Sequence, residues 1–239
     1  WKDFWSFVKR ATHGEPYDVI MNGDAIDGSH HRATTQISQN PTDQLEIAYQ
    51  VLKPIVDKAH RYYHIRGTEA HVGSSGCMEE ELAKRLGALP DQDGNYARWE
   101  LWKYLGREEI LLHVLHHIGT TGSQAYESTG VMKELCEAFV EAGRWLNRPP
   151  DIVVRSHRHR SIMLEIPSDT WNNRGSGTGQ SIGVVTPAWQ GKTPFVWKIP
   201  GGRQSQPQFG GILIRNVPKD GVWFVKPWTR SLTRSIPEN

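Results

Sequence analysis

The chain has 239 residues, with 28 Lys and Arg against 26 Asp and Glu, so its formal net charge at pH 7 is only +2. This near balance excludes a strong overall field that would attract nucleic acid, so any basic surface must be local. Cys77 and Cys136 are too few for a disulfide framework or a thiolate zinc site and favour a reducing compartment. The sequence shows no signal peptide, and no apolar run approaches the roughly 18 residues of a membrane span. We therefore expect a cytoplasmic protein with no membrane partner.

Amphipathic segments and short apolar runs alternate in the first half of the chain. Aromatic and apolar residues at helical spacing open the sequence, and short apolar runs bounded by polar residues indicate strands. Pro41 begins a helix that Pro54 is expected to bend. The predicted elements of this half are helices over 1–10, 41–56 and 78–86 and strands over 18–21 and 62–65.

The second half is richer in strands. Residues 110–117 form its strongest predicted strand, and a long helix then runs to about Leu146. A strand over 151–154 is expected to pair with 161–166 as a hairpin, and the Gly-, Asn- and Ser-rich stretch 171–180 is expected to be a mobile loop. Further strands are predicted near 99–104 and over 181–186, 211–217 and 222–225. The order predicts one α/β domain over residues 1–239, a four-layer αββα sandwich of two mixed β-sheets flanked by helices.

Three predicted strands end directly in acidic or histidine side chains. Asp24 follows the first of these strands, His116 and His117 the second, and His157 and His159 the third. Ligands bind at the carboxyl ends of strands in open α/β sheets, so we expect these side chains to converge. A carboxylate with several imidazoles suits divalent transition metals. For any one of these residues alone, an ordinary polar loop end remains an equal alternative.

Taken in order, these motifs resemble those of the calcineurin-like metallophosphoesterases, in a branch found in phage and bacterial genomes. Residues 23–28 are similar to the family motif Gly-Asp-x-x-Asp, and residues 156–159 are similar to Gly-His-x-His, with Ser in place of Gly. His116 or His117 fits the lone His that the family carries after a strand. Residues 67–71, Gly-Thr-Glu-Ala-His, stand where the family has Gly-Asn-His. The resemblance spans residues 18–159.

Two departures from the family pattern affect the metal ligands. The first family motif, Asp-x-His, has no counterpart before Asp24, and we expect it upstream of Trp1; a natural one-metal or metal-free variant is the alternative. The ligating Asn is also replaced, so Thr68 could bind through its hydroxyl or Glu69 through its carboxylate. His71 could take the place of the family's phosphate-contacting His. Residues 1–239 alone are therefore expected to hold at most one tight ion and to show little hydrolysis.

The resemblance implies a centre of two divalent metal ions, with Mn²⁺ first and Fe, Zn, Ni or Mg as alternatives. In the implied roles, Asp24 bridges the ions and His71 stabilises or protonates the reacting phosphoester, so both are the predicted catalytic residues. The predicted metal ligands are Asp24, Thr68, Glu69, His116, His117, His157 and His159. The predicted substrate-binding residues are His30, His31, Arg32 and Arg158.

Three functions follow from the resemblance. The first is a phosphoester hydrolase that acts as a phosphodiesterase or nuclease on DNA or RNA, in the cytoplasm of a bacterium or a phage-infected host cell. The second is a phosphoprotein or nucleotide phosphatase. The third is a catalytically inactive binding module on the same fold, which the absence of Asp-x-His favours.

Overall fold

The computed structural model describes residues 1–29, 34–73, 75–106, 110–119, 124–172, 175–198, 206–217 and 222–231. Its helices are α1 (Lys2–Thr12), α2 (Pro41–Val56), α3 (Glu69–Val72), α4 (Cys77–Arg85), α5 (Glu127–Trp145) and α6 (Pro194–Lys198). Its strands are β1 (Asp18–Asn22), β2 (Arg61–Ile65), β3 (Ala97–Arg98), β4 (Glu100–Leu105), β5 (Ile110–Leu115), β6 (Ile152–Arg155), β7 (Ile162–Asn172), β8 (Gly175–Val185), β9 (Gln208–Val217) and β10 (Val222–Ser231). Helices and mixed sheets together confirm the predicted α/β class.

The strands form three sheets. The first has the order β1-β2-β3 and is parallel throughout. The second has the order β4-β5-β6-β8-β7, in which β5, β6 and β8 are parallel and the two edge strands run antiparallel to them. The third is the antiparallel hairpin of β9 and β10. Within each of the first two sheets, neighbouring parallel strands therefore bring their carboxyl ends to one edge.

Successive side chains of strand β2 point to opposite faces of its sheet and so pack into two different apolar cores. Tyr62 lies in an apolar core with Leu45 and Leu52 of α2 and Leu82 of α4. The next residue, Tyr63, belongs instead to a second core. That second core is built from Tyr63, Ile65, Leu101, Leu112, Val114, Ile152, Val154, Val184 and Val225. A third core joins Val131 of α5 to Val185 of β8, with Ile162 and Leu164 of β7 against it. The predicted stacking into four layers stays a prediction.

Two expectations for the second half of the chain are wrong. Strand β7 pairs with β8, not with β6, because β6 already has β5 and β8 as parallel neighbours. The stretch 171–180, expected to be a mobile loop, is regular β-structure where it is described, and the β7–β8 pairing runs to Asn172 opposite Gly175. Glycine and serine have low β-propensity, so only the partner strand makes these residues a strand.

Two expectations from composition concern cysteine and membranes. Both Cys77 and Cys136 are free and exposed, as the absence of a disulfide framework requires. Among the described residues, no helix combines the length and the apolar character that crossing a bilayer requires.

Candidate metal centre

The loop after β1 places Asp24 by an unusual backbone conformation. Gly23 and Asp24 both adopt left-handed backbone angles, with φ of 75° and 55°. Such a conformation costs a non-glycine residue on the order of 1–3 kcal/mol and is concentrated at functional sites. A Cβ added to Gly23 would lie 2.3 Å from Nδ1 of His116, so glycine is required there. The Gly-Asp dipeptide thus lets β1 end directly against the histidine that follows β5.

The loop after β2 holds one carboxylate oxygen of Asp24. Gly67 approaches so closely that an added Cβ would lie 2.1 Å from Oδ1 of Asp24. The next residue, Thr68, donates its backbone N–H to Oδ1 at 2.7 Å and its hydroxyl to the same oxygen at 3.1 Å. With Oδ1 occupied by these donors, Oδ2 is the oxygen that faces the histidines.

His116 has the arrangement typical of a metal-ligating histidine. Its Nδ1 lies 2.6 Å from the carbonyl oxygen of Asn22, which fixes the ring and makes Nδ1 the protonated nitrogen. Its Nε2 lies 2.9 Å from Oδ2 of Asp24, within ion-pair distance, but this buried nitrogen makes no hydrogen bond to any described residue. The side chain is only 2% exposed. A buried ring nitrogen that makes no hydrogen bond and lies beside a carboxylate suits coordination of a cation.

His157 completes a group of three ligand atoms. Its ring lies 5.6 Å from that of His116, and ligand atoms of Asp24, His116 and His157 all lie within 4.8 Å of one another. His157 and His159 both have left-handed backbone angles, with φ of 69° and 57°. His159 lies beside this group, since Asp24 and its histidines all act on its pKa. The strained turn after β6 therefore places His157 beside Asp24 and His116.

His71 approaches Asp24 from α3, the short helix that directly follows Thr68. Its Nδ1 lies 2.8 Å from the carbonyl oxygen of Asp27, and its Nε2 lies 3.7 Å from Oδ2 of Asp24. The Asp27 side chain accepts a hydrogen bond from Gln190 at 2.8 Å. Asp27 therefore positions His71 through its backbone while its carboxylate anchors the segment after β8.

The pKa values follow from burial and from the close pairing of Asp24 with His116. Burial would raise the pKa of the Asp24 carboxyl, but His116, His71 and the Thr68 amide outweigh it and hold the pKa well below its usual range. Burial lowers the pKa of His116, but the adjacent Asp24 carboxylate outweighs it and raises that pKa above its ordinary value. The pairing therefore favours the ionised form of Asp24 and the protonated form of His116.

The other histidines of the group are held neutral. Partial shielding from water, together with the charge of His116, lowers the pKa of both His117 and His157. Burial and the neighbouring histidines lower the pKa of His159 to about 4, against the opposing effect of Asp24. Neutral imidazoles are the form that binds a metal ion.

The donor set fits a divalent transition metal. Ligand atoms about 2.0–2.2 Å from one ion lie roughly 2.8–3.6 Å from each other, and the 2.9 Å between Asp24 and His116 already meets that spacing. One carboxylate and imidazole nitrogens suit Mn, Fe, Zn or Ni. Within the described residues, this is the one group of three such ligands that lies close enough together.

The remaining predicted ligands lie at different places. His117 is exposed and stacks on His157 at 6.1 Å, so His116 is the histidine of the pair that faces Asp24. Thr68 contacts Asp24 directly and orients it. Glu69 is exposed at the start of α3 and is not part of the three-ligand group.

Of the predicted substrate-binding residues, only Arg158 lies within the described residues. Its guanidinium donates to the carbonyl oxygens of Glu127 and Gly119, next to the start of α5. These contacts direct Arg158 toward α5. His30, His31 and Arg32 lie outside the described residues.

Two residues of the site were not identified from the sequence. Asn22, the last residue of β1, fixes His116 through its backbone carbonyl, and a backbone role leaves no signal in residue type. Gln190 reaches Asp27 from a loop more than 160 positions away in the chain, a contact that only the fold creates. A comparison of the chain with protein-family models, curated proteins and solved structures found no match.

Proposed function

We propose that this protein is a divalent-metal-dependent phosphoester hydrolase, and that its substrates are the phosphodiester linkages of nucleic acid. One observation carries the proposal: Asp24, His116 and His157 converge beside the carboxyl ends of strands from two sheets, and the buried Nε2 of His116 makes no hydrogen bond within the described part of the chain. Asp24, His116 and His157 would hold an ion, with His159 beside them. The nucleic-acid substrate rests on the resemblance described above.

The chain's own residues have separate tasks in this mechanism. When bound, divalent cations supply Lewis-acid stabilisation of phosphoryl oxygens and lower the pKa of water so that it attacks at neutral pH. Asp24 provides the negative charge that attracts the cation, and Thr68 fixes the orientation of that carboxylate. His71, anchored through Nδ1, presents Nε2 toward Asp24 and is placed to stabilise developing charge or to protonate the leaving oxygen.

The test is hydrolysis of bis-p-nitrophenyl phosphate by the natural-length protein that contains this sequence, with Mn²⁺ present. We expect turnover that a chelator abolishes and that Asp24→Asn nearly eliminates, because a neutral amide binds divalent cations poorly. Asp57→Asn is the matched control, since Asp57 is an exposed carboxylate that pairs only locally with Lys53 at 2.6 Å. Unchanged turnover in Asp24→Asn would refute the mechanism.

Two further measurements separate the alternatives. Hydrolysis of p-nitrophenyl phosphate but not of the diester would favour a phosphatase, and tight metal binding without hydrolysis would favour the inactive module. If nucleic acid is the substrate, DNA binding should weaken steeply as salt rises, because contacts to phosphates release counterions.

A further inference from the structure

Glu79 is a buried carboxylate outside every motif discussed so far. It lies on α4, and its side chain is 0% exposed. One carboxylate oxygen accepts the backbone N–H of Ala25 at 2.8 Å, and the other accepts the backbone N–H of Gly67 at 2.6 Å. Burying an ionised carboxylate is costly unless hydrogen bonds compensate it, so this arrangement must serve the structure around it.

The two amides that Glu79 accepts belong to the two loops that build the metal centre. Ala25 directly follows Asp24, and Gly67 directly precedes Thr68, whose N–H and hydroxyl hold Oδ1 of Asp24. One carboxylate therefore ties the loop after β1 to the loop after β2. Movement of Glu79 would alter the spacing of both loops at once.

Two buried side chains of β2 lie next to Glu79: His64 approaches its carboxylate, and Tyr62 contacts His64. Nε2 of His64 lies 3.4 Å from Oε1 of Glu79, and Nδ1 of the same ring lies 2.7 Å from the hydroxyl of Tyr62. Burial, reinforced by the charge of Glu79, raises the pKa of Tyr62 well above its ordinary value. The hydrogen bond to the Tyr62 hydroxyl fixes the His64 ring, whose Nε2 lies on the side of Glu79.

We propose that Glu79 is a positioning residue of the metal centre, which holds the Asp24–Ala25 and Gly67–Thr68 loops at the spacing that directs Asp24 toward His116. The proposal rests on the proposed function only for the identity of the bound group as a divalent cation. Residues that orient metal ligands typically change metal affinity by about 10–100-fold when they are mutated. Glu79→Gln keeps the shape but replaces one acceptor oxygen with an NH₂ group, which faces a backbone N–H and cannot accept from it.

The neighbouring Glu80 offers a matched control on the same helix. Its carboxylate also accepts two backbone N–H groups, those of Tyr96 and Ala97, each at 2.8 Å. These amides lie at the start of β3, away from Asp24 and Thr68. Glu80 also approaches the guanidinium of Arg66 at 3.5 Å, but it accepts no backbone N–H of the two site loops, so Glu80→Gln makes the same chemical change without removing an acceptor from those loops.

The experiment titrates Co²⁺ into the metal-free natural-length protein and follows calorimetry, the visible Co²⁺ spectrum and thermal unfolding. We expect Glu79→Gln to weaken Co²⁺ binding by about 10–100-fold and to change the visible spectrum, while Glu80→Gln keeps the wild-type affinity and spectrum. If Glu79→Gln does not fold, the same measurements are made on Glu79→Asp. This variant keeps the charge but shortens the side chain by one methylene, so we expect it to lose Co²⁺ affinity by a smaller factor.

The outcomes separate the two proposals. Wild-type affinity and spectrum in folded Glu79→Gln, or in Glu79→Asp where that variant decides, would overturn the role of Glu79 alone. A wild-type protein that binds Co²⁺ and loses affinity on Glu79→Gln, but hydrolyses no phosphoester, would support Glu79 and overturn the hydrolase. A wild-type protein that binds no divalent ion would overturn both.

Discussion

Replacing Gly67 with alanine tests the contact on which the candidate centre depends. The added Cβ would lie 2.1 Å from Oδ1 and 2.3 Å from the backbone nitrogen of Asp24, whereas ordinary contact begins near 3.4 Å. The obstacle is largely backbone, so the two loops must separate by about 1 Å for the methyl group to fit. Since Thr68 follows Gly67, the same shift pulls its N–H away from Asp24.

The expected magnitude follows from two contributions. Overpacking of this kind costs about 1–3 kcal/mol, and loss of a hydrogen bond to a charged group costs about 1.5–3 kcal/mol. Together they predict a destabilisation of about 2.5–6 kcal/mol and a fall in melting temperature on the order of 10 °C. Metal-ligand distances tolerate only about 0.2 Å of error, so a displacement of 1 Å should also reduce metal affinity by at least about tenfold.

The assay compares thermal unfolding and Co²⁺ affinity of Gly67→Ala with those of Gly143→Ala. Gly143 is exposed within α5, and an added Cβ there meets nothing within 4 Å. Alanine is a better helix former than glycine, so Gly143→Ala should stabilise the protein by about 0.5–1 kcal/mol and leave metal binding unchanged. A Gly67→Ala variant with wild-type melting temperature and metal affinity would show that the two loops do not meet as described.

Further predictions concern the ligands and the protons they carry. His116→Ala should abolish tight metal binding, whereas His117→Ala should leave most of it, because only His116 directs a buried nitrogen at the carboxylate; equal losses on isothermal titration would contradict this assignment. Elemental analysis of purified residues 1–239 should find at most one tight ion per chain, and two stoichiometric ions would mean that residues outside the described part, His30 and His31 first, complete a second site. Metal affinity should fall by about tenfold per unit as pH drops below the raised pKa of His116, since the cation must displace that proton. His159, with its pKa near 4, should add no further step above pH 5, and a pH-independent affinity between pH 5.5 and 8 would refute this linkage.

The sequence predicted the position of the site because the signal is local. Asp24 and His157 each follow a short apolar run by a few residues, and strand β1 was expected over 18–21 and found over Asp18–Asn22. The alternation of side-chain direction along a strand ends where the strand ends, so the sequence could not show which of His116 and His117 faces Asp24. The fold makes that choice by burying His116 at 2% exposure and leaving its neighbour at the surface.

The long hairpin of β7 and β8 was missed for a different reason. Its outer part contains glycine and serine, and its strand identity comes from the ladder that pairs residues 162–172 with 175–185. A pairing partner is a non-local property that composition in a short window cannot report. The same limit applies to Gln190, whose role depends on Asp27 being its neighbour in space.

The position of Glu79 within α4 carries a weaker sequence signal, its helical spacing from apolar residues. In the sequence Met78-Glu79-Glu80-Glu81-Leu82-Ala83, three successive glutamates look like a solvated helix face. Helical spacing nevertheless puts Glu79 on the same face as Leu82 and Ala83, three and four positions later, and all three are buried. An acid at an apolar-stripe position must find partners inside the protein, because an unpaired buried carboxylate would be too costly. The helical period therefore predicts a buried acid with partners inside the protein, and only the fold shows that these partners are the two backbone amides beside the candidate metal ligands.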